Sequence, residues 1–374
     1  PLDNARPGVT LSRSAARSRA RASHPCAMSE VRRITLGPDA ADQRLDRWLR
    51  RLHPDVAQGR IERMCRKGEI RLDGARVQAS TRLAPGQVLR LPPIPETAPA
   101  PALAAPRVSE ADAAMIRAAV LHRDDDLIAI AKPPGLATQG GTGTTRHVDG
   151  LAEALRFDAP DKPRLVHRLD RDTSGVLLLG RSARAAAALA RAFRARDARK
   201  LYWAAVAGCP SPRQGTIRTG LVKAPGRGPG GEGEKMRVID LDAIEGAEGA
   251  KRAVTDFAVI DAAGRRAAWV ALEPITGRTH QLRAHMAAIG HPIVGDGKYG
   301  GSGQENAGDG WGAQLGGAVS RKLHLHARAI RIAHPATGKP LEITAPLPEH
   351  MARTWALFGW READAPDDPF EVRR

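Results

Sequence analysis

The stretch LVHRLDRDTSGVLLLGRS, Leu165–Ser182, decides how this chain is read. Its first eleven residues hold two carboxylates, Asp170 and Asp172, and three cations when His167 is counted as ionised. The apolar run Val176–Leu179 follows directly. LVHRLD and GVLLLGR are strand-like and RDTS between them carries turn chemistry, which puts Asp170 at a strand end where the backbone reverses. A loop held between two strands is a good place for a catalytic carboxylate. A surface salt-bridge cluster has the same composition and does no chemistry, so the segment alone does not decide between them.

Downstream segments narrow the choice. Ser182 suits the N-cap of a helix over Ala183–Lys200 that buries Ala186, Leu189 and Phe193. The same helix presents Arg184, Arg191, Arg194, Arg196, Arg199 and Lys200 against one acid, Asp197, a candidate phosphate-facing surface. KLYWAAVAG, Lys200–Gly208, reads as a strand carrying Tyr202, one of two tyrosines in the chain. TGRTHQLRAHMAAIGHPIVGDGKYG, Thr276–Gly300, reads as a turn and a helix whose stripe is Leu282, Met286 and Ile289, stopped by Gly290 and Pro292. Arg283 lies about 100° around that helix from Leu282, at the border of the buried face, where a cation must find a partner. An acid is the natural one.

The chain has 374 residues, 42% of them apolar, enough for one large domain and a smaller one. Its 58 Lys and Arg against 41 Asp and Glu leave a formal charge of +17, so the expected partner is a polyanion. Nucleic acid is favoured over membrane, because no run approaches the roughly 18 apolar residues of a span and the basic residues are spread along the chain. Cys26, Cys65 and Cys209 are far apart and odd in number, which speaks for a reducing, cytoplasmic setting and against a disulfide framework or cysteine zinc site.

Residues 1–33 are expected to be a disordered basic leader; with Met28 inside it, an over-extended reading frame explains it more simply than an organellar transit peptide. Residues 34–93 form a small basic module. RLDRWLRRL, Arg44–Leu52, sets Leu45, Trp48, Leu49 and Leu52 on one helix face and Arg47, Arg50 and Arg51 outside it. A second helix, Arg60–Lys67, buries Ile61, Met64 and Cys65 and exposes Arg63, Arg66 and Lys67, and a hairpin turns on Asp73-Gly74. From Arg44 to Arg71 nine basic residues face four acidic ones, a balance of +5. Two successive helices with arginines outward favour an RNA-binding module over an ordinary solvated face. Pro- and Ala-rich residues 94–113 make an extended linker, 114–360 a catalytic domain and 361–374 a tail. That domain begins with a strand, Leu127–Ala131, and a Gly-rich loop that is no phosphate loop, since no Gly-Lys-Ser/Thr follows.

Taken together, HRLDRDTSGVLLLGRS, the Lys-x-Tyr strand, GRTHQLRAHMAAIGHPIVGDGKYG and LHLHA, Leu323–Ala327, resemble the motif set of the RluA-type pseudouridine synthases. The order of elements in the basic module, with RKGEIRLDG, resembles an S4-type RNA-binding domain, and the whole is most similar to the RluC-like group that acts on 23S ribosomal RNA. The resemblance runs from about Ile34 to Trp355. It implies an α+β fold, a mixed or antiparallel-sheet catalytic domain behind a small S4-like domain. It further implies that Asp170 is the catalytic aspartate, that Tyr202 packs against the target base, that Arg283 pairs with the aspartate, and that Arg168 fills the gap left by a flipped nucleotide. The partner implied is 23S ribosomal RNA or its large-subunit precursor, acted on by a cytoplasmic monomer without metal or organic cofactor.

Those residue types suit the chemistry. Moving uracil from N1 to C5 attachment needs a carboxylate as nucleophile or base beside a retained base, and the residues leave open attack on the sugar, attack on C6 or deprotonation of the sugar. A target inside a helix must leave the stack, which wants an enclosing pocket. Tyr202 offers a ring face and a hydroxyl for proton removal from C5. A metal-dependent RNA hydrolase would draw on His280, His285, His291, His324 and His326, but His280 and His285 are five apart, about 140° around a helix, and no acidic ligand cluster accompanies them. A non-catalytic ribosome-assembly factor would have no use for Asp170, Tyr202 and Arg283 together. The Gly-rich segments Pro225–Lys235 and Gly300–Ser320 read as surface insertions, and an aromatic content of 3% argues for phosphate contacts and RNA shape over serial base stacking.

Overall fold

The computed structural model describes residues 31–53, 56–94, 108–140, 144–224, 235–300 and 318–371. The leader through residue 30, the middle of the linker and most of both Gly-rich segments lie outside the described residues. The chain divides into two units, Pro1–Arg107 and Val108–Arg374.

The first unit runs β1 (Arg32–Thr35), α1 (Leu45–Leu52), α2 (Gln58–Lys67), β2 (Arg71–Leu72), β3 (Ala75–Arg76) and β4 (Val88–Leu91). Its antiparallel sheet has the order β1-β4-β2-β3, so Arg32 and Arg33, expected in the leader, begin a strand. Leu45, Trp48 and Leu49 of α1 and Ile61, Met64 and Cys65 of α2 are buried against Leu36, Ile70, Leu89 and Leu91, as helical spacing predicts. Leu52 is the exception at 47% exposed, because α1 ends there and the chain turns away at His53. Helix α2 starts at Gln58 instead of Arg60 and stops on Gly68, whose φ of +71° lets the Gly68 and Glu69 amides reach the Cys65 and Met64 carbonyls. Asp73 and Gly74 both have positive φ, 51° and 82°, the geometry of the tight hairpin turn expected of Asp-Gly.

The second unit runs α3 (Glu110–Ala118), β5 (Val120–Arg123), β6 (Leu127–Lys132), α4 (Val148–Leu151), β7 (Arg164–Leu165), β8 (Ser174–Gly180), α5 (Ala183–Ala195), β9 (Arg199–Ala207), β10 (Gln214–Lys223), β11 (Met236–Ile239), β12 (Lys251–Ala263), β13 (Ala267–Pro274), α6 (Gln281–Ala288), β14 (Leu325–Ala333), β15 (Pro340–Thr344) and α7 (Glu349–Phe358). An eleven-stranded sheet follows the order β11-β10-β12-β13-β9-β14-β8-β6-β5, with β15 on β14 and β7 on β8. The β14–β8 pair is parallel and the other pairings are antiparallel, so the sheet is mixed and the fold α+β.

Side-chain alternation builds two faces. On β9, Ala204 and Val206 pack with Leu272 of β13 and with Leu282 and Met286 of α6, while Trp203 and Ala205 pack with Trp269, Trp355 of α7 and Trp360. Tyr202 falls on the α6 side. Every residue of β8 is buried, with Leu177 and Leu179 against α3 and α4 and Val176 and Leu178 against Leu189 of α5. Cover on both faces explains a continuous apolar run where a half-buried strand would alternate. Gly175 has φ +111°, and a Cβ there would lie 2.2 Å from the Ala327 carbonyl oxygen, so only glycine lets β8 close on β14.

Four expected boundaries shift. Of LVHRLD only Leu165 lies in a strand, the two-residue β7, and the residues from Val166 through Thr173 are an irregular loop. The basic helix ends at Ala195, Arg196 turns the chain at φ +69°, and Arg199 enters β9, where Glu273 and Asp368 bind it and withdraw it from any phosphate-facing surface. The last residues of the expected linker are helical, because Ser109 caps α3 by accepting the Asp112 amide. The expected tail packs back: Asp368 pairs with Arg199 at 2.6 Å and Phe370 is buried.

Candidate active site

Asp170 is placed by its neighbours. On one side Thr138 grips the backbone of Leu169 twice, its hydroxyl donating to the Leu169 carbonyl at 2.7 Å and accepting the Leu169 amide at 3.1 Å. On the other, the buried ammonium of Lys132 donates to the carbonyls of Arg171, Leu136 and Pro133 at 2.7–2.9 Å. Three carbonyls match the three N–H bonds of a charged lysine. Burial pulls its pKa down to about 7, with Asp172 and Asp170 opposing. His167 braces the start of the loop, accepting the Leu178 amide through Nε2 at 2.9 Å and stacking on Phe193. Ser174 closes its end on Nδ1 of His326 at 2.9 Å. Asp170 itself remains part-exposed at the edge of a cavity of about 500 Å³.

The cavity brings together Arg168, Asp170, Tyr202, His280 and Arg283, so the three expected central residues and Arg168 share one site. Tyr202 reaches it from β9; burial first, and the Asp170 charge second, push its hydroxyl far above the ordinary phenol range, so the ring stays a neutral phenol. Arg283 reaches it from α6, but the acid it pairs with is Asp296, not Asp170. Its Nε and one terminal nitrogen bind both Asp296 oxygens at 2.7 and 2.6 Å, with both side chains almost sealed from solvent. Burial opposes this charge, yet Asp296 outweighs it and Arg283 is held more firmly protonated than usual. Asp296 also accepts the amides of Lys298 and Tyr299, in a turn whose Gly295 has φ +75° and no room for a Cβ beside the Lys322 carbonyl. Asp170 therefore feels Arg283 as a fixed charge across the cavity.

His280 stands beside Asp170, and Tyr299 beside His280, without having been singled out for it. His280 Nε2 lies 3.9 Å from the Asp170 carboxylate and Nδ1 lies 3.1 Å from the Tyr299 hydroxyl. The sequence signal was the spacing itself, since His280 precedes the helix that carries Arg283 and Tyr299 follows Asp296 in GDGKYG. The other histidines weighed as metal ligands are engaged in hydrogen bonds: His285 with Thr255 and Thr219, His324 with Lys322 and Thr354, His326 with Ser174 and Ala345, His291 with the Ala207 carbonyl. They knit the core.

In the first unit Arg47, Arg50, Arg51, Arg63, Arg66 and Lys67 are all exposed. Arg47, Arg50 and Arg51 share a groove with Arg44 and Gln58, whereas Arg63, Arg66 and Lys67 belong to the outer face of α2 and do not line it. Arg51 touches Asp39 and Lys67 touches Glu69, both as exposed pairs that hold little energy and leave the cations available.

Comparison with known proteins follows the same division. Residues 126–288 match the family model for RNA pseudouridylate synthase and residues 43–89 that for the S4 domain. Ribosomal large subunit pseudouridine synthase C of Vibrio vulnificus is 36% identical over 333 residues, covering 87% of this chain and 96% of the relative. Its counterpart in Yersinia pestis is 33% identical over 333 residues, covering 86% and 93%. The solved structure of human RNA pseudouridylate synthase domain containing 4 aligns at a TM-score of 0.53 and 29% identity, covering 66% of this chain and 95% of its own.

Proposed function

The chain belongs to the RNA pseudouridylate synthase family, and we propose that it isomerises specific uridines of large-subunit ribosomal RNA, 23S RNA or its precursor, with Asp170 as catalytic carboxylate. One observation carries the assignment of Asp170: a part-exposed carboxylate, on a loop clamped through both neighbouring residues, opens into a cavity shared with an aromatic ring and a fixed cation.

The reaction breaks the N1 glycosidic bond, turns the uracil and rejoins it through C5, with no net oxidation or reduction. Asp170 acts on the intact nucleotide, attacking the sugar, attacking C6 of the uracil or taking a proton from the sugar, so that the C1′–N1 bond breaks. The cavity keeps the base from escaping until C1′ joins C5, after which C5 loses its proton and N1 takes one up. Tyr202, held as a neutral phenol, serves through its ring against the uracil and is a poor acceptor for the C5 proton. Arg283 presents a guanidinium to the cavity while Asp296 holds it in place. Arg168, exposed at the rim, occupies the space of the flipped nucleotide. Residues 34–93 grip the RNA through Arg47, Arg50, Arg51, Arg63, Arg66 and Lys67, and the second unit performs the chemistry.

Because the named groups supply the reaction, we propose that neither metal nor organic cofactor takes part, and that one cytoplasmic copy of the chain suffices. Among the described residues no helix is long and apolar enough to cross a membrane. The test is to incubate the purified protein with 23S RNA and map pseudouridine at nucleotide resolution. A small set of converted uridines is expected, and RNA that is bound but unchanged would reduce the protein to a binding factor.

A further inference from the structure

Asp170 has a second neighbour whose chemistry the proposed reaction does not use. Its carboxylate faces His280 Nε2 at 3.9 Å, too far for a hydrogen bond and close enough for a strong interaction between ion and dipole. His280 sits at the N-cap of α6 with φ +50° and ψ 21°, a left-handed conformation that histidine tolerates better than most residues. Its other nitrogen, Nδ1, is 3.1 Å from the hydroxyl of Tyr299. That hydroxyl already accepts the backbone amide of Met236 at 2.8 Å. The cations of Arg283 and Lys235 lie 5.3 and 5.4 Å from the centre of the Tyr299 ring and hold it in place.

These contacts suit Tyr299 as the donor to Nδ1. The Met236 amide can only donate, so the Tyr299 oxygen is the acceptor there and its own proton is free for Nδ1. A neutral imidazole that accepts at Nδ1 carries its proton on Nε2. We propose that Tyr299 is a positioning residue that locks His280 in the Nε2–H form, so that His280 turns a neutral N–H toward the Asp170 carboxylate. The proposal rests on Asp170 being the catalytic carboxylate. Burial lowers the pKa of His280 despite the opposing charge of Asp170, and Arg283 and Lys298 act in the same direction as burial. A neutral donor steadies the carboxylate without offering it the proton of an imidazolium and without pinning it in a tight ion pair.

Conservative variants separate this relay from simple packing. His280→Gln carries an amide donor nearly as far as Nε2 and has no tautomers, whereas His280→Asn suits the positive φ but is too short. Tyr299→Phe should slow single-turnover isomerisation about tenfold with RNA affinity changed by less than about twofold, and His280→Asn should do the same. His280→Gln should stay within about threefold of the parent, and adding Tyr299→Phe to it should change the rate by less than about twofold. An equal loss from Tyr299→Phe in both backgrounds would overturn the proposal, since a merely structural tyrosine is indifferent to the residue at 280. Nitrogen NMR of the intact histidine-labelled protein, with the signals of His280 identified by their loss in His280→Gln, reads the tautomer without any activity. A proton on Nε2 supports the relay and a proton on Nδ1 overturns it. Failure of the underlying catalytic assignment looks different, because Asp170→Asn would then remain active whatever the tautomer.

Discussion

Arg47, Arg50 and Arg51 stand in water on α1, while Arg283 on α6 is sealed against Asp296 in a fully buried pair. Both sets lie on short helices and look alike in composition. The first set acts as a sum: each cation adds to a field that phosphate groups feel, and none needs a fixed partner. The second acts singly, because a buried charge is tolerable only with its partner in place. The same contrast holds for lysines, with Lys67 exposed and Lys132 enclosed by three carbonyls. Binding surface and catalytic site thus differ less in residue type than in whether each charge is individually specified.

The sharpest way to break this contrast is to remove one arginine of each kind. Arg283→Ala strands the Asp296 carboxylate in the core and should cost about 3–5 kcal/mol of stability, while Arg47→Ala should cost less than about 0.5 kcal/mol. Denaturant unfolding of the two variants measures both. Adding Asp296→Asn to Arg283→Ala should recover part of the loss, because the orphaned charge is then gone. Equal effects at the two arginines would show that the buried pair is not specified as described.

Acid should find the second unit first. Burial lowers His285, His324 and His326 to about 4 and His167 to about 3, so the folded state keeps them neutral while the unfolded chain protonates them near pH 6.5. The unfolded state then binds more protons, and stability falls as pH drops from about 6.5 toward 4, by up to about 1.4 kcal/mol per pH unit for each histidine. Unfolding free energies measured across that range check the slope. All four histidines lie in the second unit, so the slope should survive removal of the first.

That removal gives a smaller effect on a different axis. The hydrophobic core of the first unit is made wholly of residues between Leu36 and Ile94, and the second unit has cores of its own, so residues 108–374 should fold alone. Affinity for long ribosomal RNA should fall about 10- to 100-fold, and the slope of log affinity against log salt should flatten by about 0.7–0.9 for each phosphate that is no longer neutralised. An unchanged slope would mean that the arginines of α1 and α2 are only a solvated surface. The smallest expected effect is none: activity should survive exhaustive chelation in a buffer that keeps the RNA folded, and a loss restored by zinc would return the histidines to the reaction.

Much of this was legible where local rules decide. The apolar stripes of α1, α2 and α6, the Ser182 cap and the Asp73-Gly74 hairpin depend on spacing within a few residues, and Asp170, Tyr202 and Arg283 do share a cavity. Partner choice was not legible. Asp296 lies thirteen residues beyond Arg283 in the same quoted segment, yet its pairing requires the Gly295 turn to bring it back against α6. The loop at Asp170 resembled a strand because its alternation is right, but its backbone is bound by Thr138 and Lys132 instead of a neighbouring strand. Arg199 looked helical because the basic run crosses the junction of α5 and β9 without a change in composition.

Asp170→Asn tests the central claim most directly. A carboxamide keeps the shape of the side chain and loses its charge and nucleophilicity. Purified variant and parent would be compared on the same 23S RNA, with binding and site-mapped isomerisation read from the same samples. The account predicts RNA affinity within about threefold of the parent and a rate lower by at least about 10⁴-fold, which leaves no detectable pseudouridine. Measurable isomerisation by the purified variant would contradict it.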